Sequence, residues 1–231
     1  MDARQFDLES DKIFQILNEE TLKEIKENSR KHTFKKGNLI FYDGGEPSGV
    51  YWIESGKVKA YKTGIDDKEH IFYLYNAGDL FGYHTIFTNE IYDKSASALE
   101  ETTVYIIPRK FFLDLFERFP ELKDDFIIHM AHEFKVLLNY LTFMSQFEVR
   151  ERLALSLLGL NRSYYDPNTK KSEIAIPRED LANIIGTSRE SLSRLLKQFK
   201  EDRLIKMNAR NIIILKPEKL QYISNSVYEV K

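Results

Sequence analysis

The sharpest apolar periodicity in the chain lies in its last third. Apolar side chains recur there at helical spacing in two short runs, and Gly186, which can adopt the positive φ of a helix C-cap, separates the runs. We predict a first helix over residues 178–185, entered through Pro177, and a second helix capped by Thr187 or Ser188. The predicted buried positions of the two helices are Leu181, Ile184, Ile185, Leu192, Leu195, Leu196 and Phe199.

Two short apolar strands follow the second helix, at Leu204–Met207 and Ile212–Leu215. Two helices joined by a tight turn, with a β-hairpin wing after them, are typical of a winged helix-turn-helix. The polar face of the second helix favours DNA reading, because Arg189 and Arg194 can each donate a pair of hydrogen bonds to guanine and Glu190 can accept one from cytosine. An ordinary helical hairpin with a solvated charged face is the alternative.

Between residues 32 and 108 the apolar period shortens to that of β-strands. Short apolar runs alternate with turns that contain glycine, which favours a sandwich or a barrel-like roll. The motif GDLFG at Gly78–Gly82 opens the segment that continues into Tyr83 and His84. A short helix in that segment would direct backbone N–H groups at an anion, whereas a turn between strands is the plainer interpretation. Residues 8–30, before the roll, are predicted to be helical.

A long helix is predicted over residues 121–147. Its apolar positions follow alternating spacings of three and four residues, as in the seam of a short coiled coil, and further apolar side chains lie on its other faces. Because such a helix must be covered on several faces, we expect it to contact both the roll and the same helix of a second copy. The seam consists of Ile127, Met130, Phe134, Leu137, Leu141 and Met144.

Charge is distributed unevenly along the chain. The net charge of −2 would argue against nucleic acid as a partner. However, residues 150–231 contain 16 lysines and arginines against 10 acidic residues, whereas residues 1–149 contain 18 against 26. The basic excess falls on the part with the predicted helix-turn-helix, which is typical of a nucleic-acid module joined to an acidic domain.

Composition narrows the class of protein. The 231 residues are 42% hydrophobic and 30% charged, as in a globular protein large enough for two domains. The absence of cysteine excludes disulfides, thiolate metal sites, cysteine-bound iron–sulfur clusters and a cysteine nucleophile. The acidic N-terminus lacks a signal-peptide core, and no apolar run reaches membrane-spanning length. We therefore expect a cytoplasmic protein with no membrane contact.

The order of roll, long helix and winged helix-turn-helix resembles the CRP/FNR family of bacterial transcription regulators over nearly the whole chain. The strongest match is IIGTSRESLSR at Ile184–Arg194, which is similar to the family's recognition signature. The GDLFG motif is the second match, and VRERLA at Val149–Ala154 resembles the helix that follows the family's hinge. The resemblance implies an α+β fold: a cyclic-nucleotide-binding-like jelly roll over residues 1–120, a dimerisation helix over 121–147 and a winged helix-turn-helix over 148–231.

The resemblance also implies a DNA-binding homodimer on a palindromic operator in double-stranded DNA, with RNA polymerase as a further partner. By similarity to the family, the base-reading residues are Arg189, Glu190, Ser193 and Arg194. The implied phosphate contacts are Arg178, Ser188, Ser191, Asn208 and Arg210.

The effector site departs from the family's pattern. Members that bind cyclic AMP have a glutamate where this chain has Tyr83, and an Arg-Ser pair where it has Lys94-Ser95. Their Thr-Ser pair on the long helix corresponds here to Leu137-Leu138. We therefore expect that cyclic AMP is not the effector, and that the roll binds an unidentified small ligand or none. The implied pocket residues are Gly82, Tyr83, His84, Lys94, Ser95, Leu137 and Leu138.

Metal and enzyme alternatives have weaker support. His129, His132 and Glu133 have helical spacing suited to a metal, yet no further ligand converges on them in the sequence, and His84 is a weak candidate for a haem ligand. We expect neither a metal nor a cofactor. A ligand-binding protein or enzyme resembling the cupins is the alternative function for the roll, but its histidines are widely spaced and no nucleophile–base pair is evident. A purely structural dimer would leave the Arg-Glu-Arg face unexplained. We therefore expect that the chain is not an enzyme.

Overall fold

The chain folds into two compact units. The computed structural model describes residues 2–64, 67–88, 90–209 and 211–225. The roll unit is Leu8–Phe134, and the helical unit is Met1–Asp7 with Lys135–Lys231. This division falls inside the long helix.

The first residues belong to the helical unit because their side chains contact it. The ring of Phe6 lies edge-on to that of Phe143, with 5.4 Å between the ring centroids. Asp7 forms an ion pair with Arg162 at 2.8 Å. Sequence pattern gives no sign of these contacts, since each joins residues more than a hundred positions apart.

The prediction of one helix over residues 8–30 is wrong. A 3-10 turn at Ser10–Lys12 comes first, and helix α1 spans only Glu19–Glu27. The side chain of Asn18 accepts a hydrogen bond from the backbone N–H of Thr21, which caps α1 and fixes where it starts.

The roll consists of two four-stranded antiparallel sheets, with strand orders β1-β8-β3-β6 and β2-β7-β4-β5. Except for β4 and β5, which pair with each other, consecutive strands alternate between the two sheets. This is a jelly-roll arrangement and confirms the predicted fold class. The strands are β1 Arg30–Phe34, β2 Leu39–Phe41, β3 Val50–Ser55, β4 Val58–Thr63, β5 Glu69–Tyr75, β6 Leu80–Phe81, β7 Ser95–Ala98 and β8 Thr102–Ile107. The helices that follow β6 and β8 are α2 His84–Thr88 and α3 Arg109–Arg118.

Aromatic rings fill the space between the two sheets. Phe41 stacks on Tyr92 with 4.0 Å between ring centroids, and Phe81 stacks on both Tyr51 and Tyr75, at 4.9 and 5.2 Å. All five side chains are buried. The interior of the roll is therefore occupied by the protein's own rings at these positions.

The helical unit contains the predicted helix-turn-helix and wing. Helix α4 spans Pro120–Gln146 and crosses the division between the units. After it come α5 Val149–Ser163, β9 Tyr165–Asp166, β10 Lys171–Ser172, α6 Arg178–Ile184, α7 Arg189–Glu201, β11 Ile205–Asn208, β12 Asn211–Ile214 and α8 Pro217–Asn225. Within the described residues, no helix is both long and apolar enough to cross a membrane.

The segment before α6 pairs with the wing through a single antiparallel bridge. In it, Ile174 and Ile212 exchange backbone hydrogen bonds of 2.9 and 3.0 Å. Both side chains are buried, so the bridge holds the wing to the base of the helix-turn-helix.

Gly49, directly before β3, is required by a close backbone approach. Its φ is +149°, and a Cβ built on it would lie 2.3 Å from the carbonyl oxygen of Ile107. Any other residue there would meet both backbone strain and a steric clash.

We expect Gly49→Ala to lower the free energy of unfolding by about 3 kcal/mol or more, through strain and clash together. Gly37→Ala is the matched control, because Gly37 has a φ of +81° but no atom within 4 Å of its built Cβ. Strain alone should cost the control about 1–2 kcal/mol. Urea unfolding of both variants measures the difference, and equal losses would contradict the role given to the Ile107 carbonyl.

Candidate nucleic-acid interface

Two residues on either side of Thr187 build the turn between α6 and α7, one by ending the first helix and one by starting the second. Gly186 has a φ of +60°, which ends α6, and the Ser188 side chain accepts a hydrogen bond from the backbone N–H of Ser191, which starts α7. Of the two caps considered from the sequence, Ser188 is the one that forms. Leu192, Leu196 and Phe199 are buried beneath α7, so its opposite side faces outward.

All four predicted base-reading residues lie on this outward side of α7. Arg189, Glu190, Ser193 and Arg194 are exposed. The Ser193 hydroxyl donates to the carbonyl of Arg189 at 2.8 Å, which leaves its oxygen free to accept. Arg194 donates to the Ser191 hydroxyl at 3.1 Å, and this contact directs the guanidinium along the helix surface.

Glu190 is held in its charged form. A hydrogen bond from its own backbone N–H, followed by one from the Ser188 hydroxyl, lowers the pKa of the Glu190 carboxyl, and the charges of Arg189 and Arg194 act in the same direction. The outward side of α7 therefore presents two guanidinium donors and one carboxylate acceptor.

The predicted phosphate contacts differ in exposure. Ser188 and Asn208 are exposed, and Ser191 is half-buried. Arg178 is also half-buried; burial lowers the pKa of its guanidinium, and its Nη1 has no hydrogen-bond partner among the described residues. Arg210 lies outside the described residues.

Helix α4 carries a row of large apolar side chains that are exposed in the described part of the protomer. Phe134 is 62% exposed and Leu141 is 57% exposed. Met130 and Met144 of the predicted seam are half-buried, with Met130 lying against the apolar core of the roll unit. We call the exposed row the outward α4 face; it consists of Ile127, Ile128, Phe134, Leu137, Leu138 and Leu141.

The predicted effector positions differ in burial and in the contacts that they make. Tyr83 is fully buried, and Gly82, with a φ of +76°, is buried beside it. Lys94 forms an ion pair with Asp93 at 3.2 Å, and the Ser95 hydroxyl accepts a backbone hydrogen bond. Leu137 and Leu138 lie on the outward α4 face.

The Tyr83 hydroxyl is the centre of a buried polar network. It donates to Glu133 Oε2 at 2.9 Å and lies 2.9 Å from His129 Nε2. Since the hydroxyl has only one proton to donate, we assign the second hydrogen bond to the His129 Nε2–H. His84 Nε2 lies 3.1 Å from Glu133 Oε1. His129 and Glu133, considered from the sequence as metal ligands, are thus hydrogen-bond partners of Tyr83.

The network shifts the titration of its members. Burial raises the pKa of the Tyr83 hydroxyl well above its ordinary value and lowers the pKa of His129. Burial alone would raise the pKa of Glu133, but hydrogen bonds from His84 and Tyr83 outweigh it and lower that pKa. The chain therefore keeps a carboxylate and a neutral imidazole inside the roll unit near neutral pH.

Sequence reasoning missed this network as a unit. Tyr83 is 46 residues from His129 and 50 from Glu133, and a contact of that range leaves no periodic signal. The helical spacing of His129 and Glu133 was the one usable sign, since it places both side chains on the same side of α4.

Two family models match the chain. The cyclic nucleotide-binding domain model matches residues 31–119, and the Crp-like helix-turn-helix domain model matches residues 151–223. The first covers the roll from β1 to α3, and the second covers α5 to α8.

Named relatives align along most of the chain. The fumarate and nitrate reduction regulatory protein of Vibrio cholerae is 29% identical over 218 residues, which are 93% of this chain and 87% of the relative. The regulatory protein HlyX of Actinobacillus pleuropneumoniae is 28% identical over 193 residues, which are 83% and 80% of the two chains. Both are named as regulators, so they give no support to an enzyme.

Solved structures share the fold. FixK2 from Bradyrhizobium japonicum has a TM-score of 0.75 at 20% identity and covers 84% of this chain and 96% of its own. A CooA mutant from Carboxydothermus hydrogenoformans has a TM-score of 0.73 at 24% identity, with coverages of 92% and 95%.

The buried network predicts how stability depends on pH. Because the folded chain holds the His129 proton more weakly than the unfolded chain does, the free energy of unfolding should fall as the pH drops below 6.5, the ordinary histidine value. Glu9, His84, His132 and Glu133 also act on His129 through their charges. Glu133, whose pKa is lowered from 4.5, adds a loss of the same sign at more acidic pH.

We expect His129→Gln to remove part of the stability loss between about pH 7 and pH 5, measured by urea unfolding at each pH. His70→Gln is the comparison variant, because burial also lowers the pKa of His70. It should remove a different part of the stability loss, independent of the part that His129 contributes. An unchanged pH slope in His129→Gln would show that His129 does not titrate as the network requires.

Proposed function

This chain belongs to the CRP/FNR family of transcription regulators, and from that premise we propose that it acts as a homodimer that reads a palindromic operator in double-stranded DNA. The observation that carries the proposal is the pairing of two features in one chain. One is the outward side of α7 with its Arg-Glu-Arg set, and the other is the uncovered apolar face of α4.

The outward α4 face supports the homodimer. Large apolar side chains that remain in contact with water favour association, and a row of them along one helix fits the same row on a second copy. The predicted seam spacing suits two such helices lying side by side. A two-fold axis between them would present both α7 helices to one side of the dimer, as a palindromic site requires.

The chemistry of the exposed side chains assigns some of them to base reading and others to phosphate contact. Arg189 and Arg194 would each donate to guanine, and Glu190 would accept from cytosine, so these three set the sequence of a half-site. Ser193 adds one more contact to a base edge. The contacts proposed for phosphate set register and affinity: Arg178, Ser188, Ser191, Asn208 and Arg210.

The effector, if the roll takes one, is a small molecule other than cyclic AMP. Tyr83 stands where the nucleotide-binding members have a carboxylate, and it is buried against His129 and Glu133. A buried ribose hydroxyl without that carboxylate would lose about 1–3 kcal/mol of binding free energy. Lys94 offers a point charge in place of the fork of arginine, and its ammonium is paired with Asp93.

A ligand in the roll would act by shifting the equilibrium between two arrangements of the dimer. The size of that shift is set by the difference in the ligand's affinity for the two arrangements. We place this regulator in the cytoplasm with the chromosome, and we propose that it acts on transcription through RNA polymerase. Its relatives' names favour this function over a cupin-like enzyme.

We expect Phe134→Glu to convert the dimer to monomer at concentrations where the natural chain is dimeric, because a carboxylate would be buried in an apolar interface. Its dimer dissociation constant, measured by sedimentation, should rise about tenfold or more. Lys135→Glu, a change at the neighbouring exposed position, is the control and should leave the mass unchanged. A monomeric natural chain, or a dimeric Phe134→Glu, would refute the homodimer through α4.

We expect Arg194→Ala to relax the base preference at one position of each half-site, at a cost of about 1–3 kcal/mol in binding free energy. Lys197→Ala, one turn further along α7, should weaken binding to all sequences alike. Competition binding with duplexes altered at single positions separates the two effects. Equal behaviour of the two variants would remove Arg194 from the base-reading set.

A further inference from the structure

Arg152, on the first turn of α5, binds four backbone carbonyls with one guanidinium. Its Nε donates to the carbonyl of Ile185 at 2.8 Å. Its Nη1 donates to those of Met144 and Phe147 at 3.1 and 3.0 Å, and its Nη2 donates to that of Gly186 at 3.4 Å. We call this arrangement the Arg152 clamp.

The four acceptors belong to the ends of two different helices. Met144 lies in the last turn of α4 and Phe147 directly follows that helix, whereas Ile185 and Gly186 directly follow α6. The last carbonyls of a helix have no partner within it and carry partial negative charge, so a cation placed there is stabilising. A single cation here satisfies two helix ends at once.

The chemistry of arginine suits this task better than that of lysine. The guanidinium is a rigid planar fork, so donating in several directions fixes the angle between the groups that accept. Burial lowers the pKa of Arg152 while Tyr140 opposes the shift, yet an arginine guanidinium is so strongly basic that it keeps its charge. Its four acceptors are neutral dipoles, so the contact depends on geometry rather than on pairing with an acid.

A second contact joins the same two helix ends. A Cβ built on Gly186 would lie 2.4 Å from Met144 Cε, so the thioether of α4 rests directly against the turn of the helix-turn-helix. The turn before α7 is therefore held to the end of α4 by both a hydrogen-bonded clamp and a packed side chain.

We propose that Arg152 is a positioning residue for DNA recognition: it fixes the angle between the end of α4 and the helix-turn-helix, and so sets the separation of the two α7 helices in the dimer. This inference rests on the proposed function, because it needs two protomers joined through α4. The role proposed for Arg152 concerns the spacing of the half-sites, whereas the side chains of α7 recognise their base sequence.

The first test measures affinity against half-site spacing. Duplexes carry the selected inverted repeat with the natural spacer, or with spacers one or two base pairs longer and shorter. The natural chain should prefer one spacer. Arg152→Gln should lose about tenfold or more on that spacer and show a flatter profile, yet bind a duplex with a single half-site within about twofold of the natural chain.

Two further variants separate positioning from general damage. Arg152→Lys keeps the charge but loses the fork, so its profile should also be flatter than that of the natural chain. Arg162→Gln, on the same helix, removes only the exposed ion pair with Asp7 and should keep the natural profile.

The second test needs no DNA. The chain has no cysteine, so Lys200→Cys offers one site for a nitroxide at the exposed end of α7. In the dimer, electron–electron double resonance should give a narrow distance distribution with Arg152 in place and a broader one with Gln or Lys there.

The outcomes distinguish the two levels of the proposal. A natural chain that binds no duplex, or that shows no spacer preference, would overturn the proposed function. A natural chain with a spacer preference that Arg152→Gln and Arg152→Lys both retain, with unchanged distance distributions, would overturn the role of Arg152 alone. If both variants fail to fold by circular dichroism, Arg152 is required for folding and the positioning role is likewise refuted.

Discussion

Six large apolar side chains along α4 are exposed in the protomer. The proposed function of the chain depends on the removal of these side chains from contact with water. Phe134 and Leu141 are among the most exposed apolar side chains described in the chain. A second copy of the same helix matches them in chemistry and in spacing. Once the two helices are joined, every residue of α7 is present twice, and weak contacts in one half-site become a specific contact with an inverted repeat.

The roll unit is a jelly roll whose interior is occupied by the protein's own aromatic rings. Rings of Phe41, Tyr51 and Phe81 occupy the space between the sheets. Tyr83, at the end of the GDLFG motif, reaches His129 and Glu133 on α4. Tyr83 thus links the GDLFG motif to α4 from within the roll unit.

How much the sequence predicts depends on the range of each interaction. The helix-turn-helix is local: Gly186 ends one helix, Ser188 starts the next, and both signals lie within a few residues of their effect. The wrong prediction of one helix over residues 8–30 also has a local cause. The cap at Asn18 makes α1 start at Glu19, and the apolar periodicity gives no sign of this cap. Sequence reasoning could not find the Tyr83 network, because its partners lie far along the chain. It could not find the Arg152 clamp either, because all four acceptors are backbone carbonyls, which every residue possesses.

The dimeric reading of DNA is the central claim, and selection of bound sequences from a pool of random duplexes tests it most directly. The natural chain should enrich an inverted repeat whose half-sites are centred about one helical turn, roughly 10 base pairs, apart. Enrichment of a single unrepeated motif, or of no motif at low ionic strength, would contradict it.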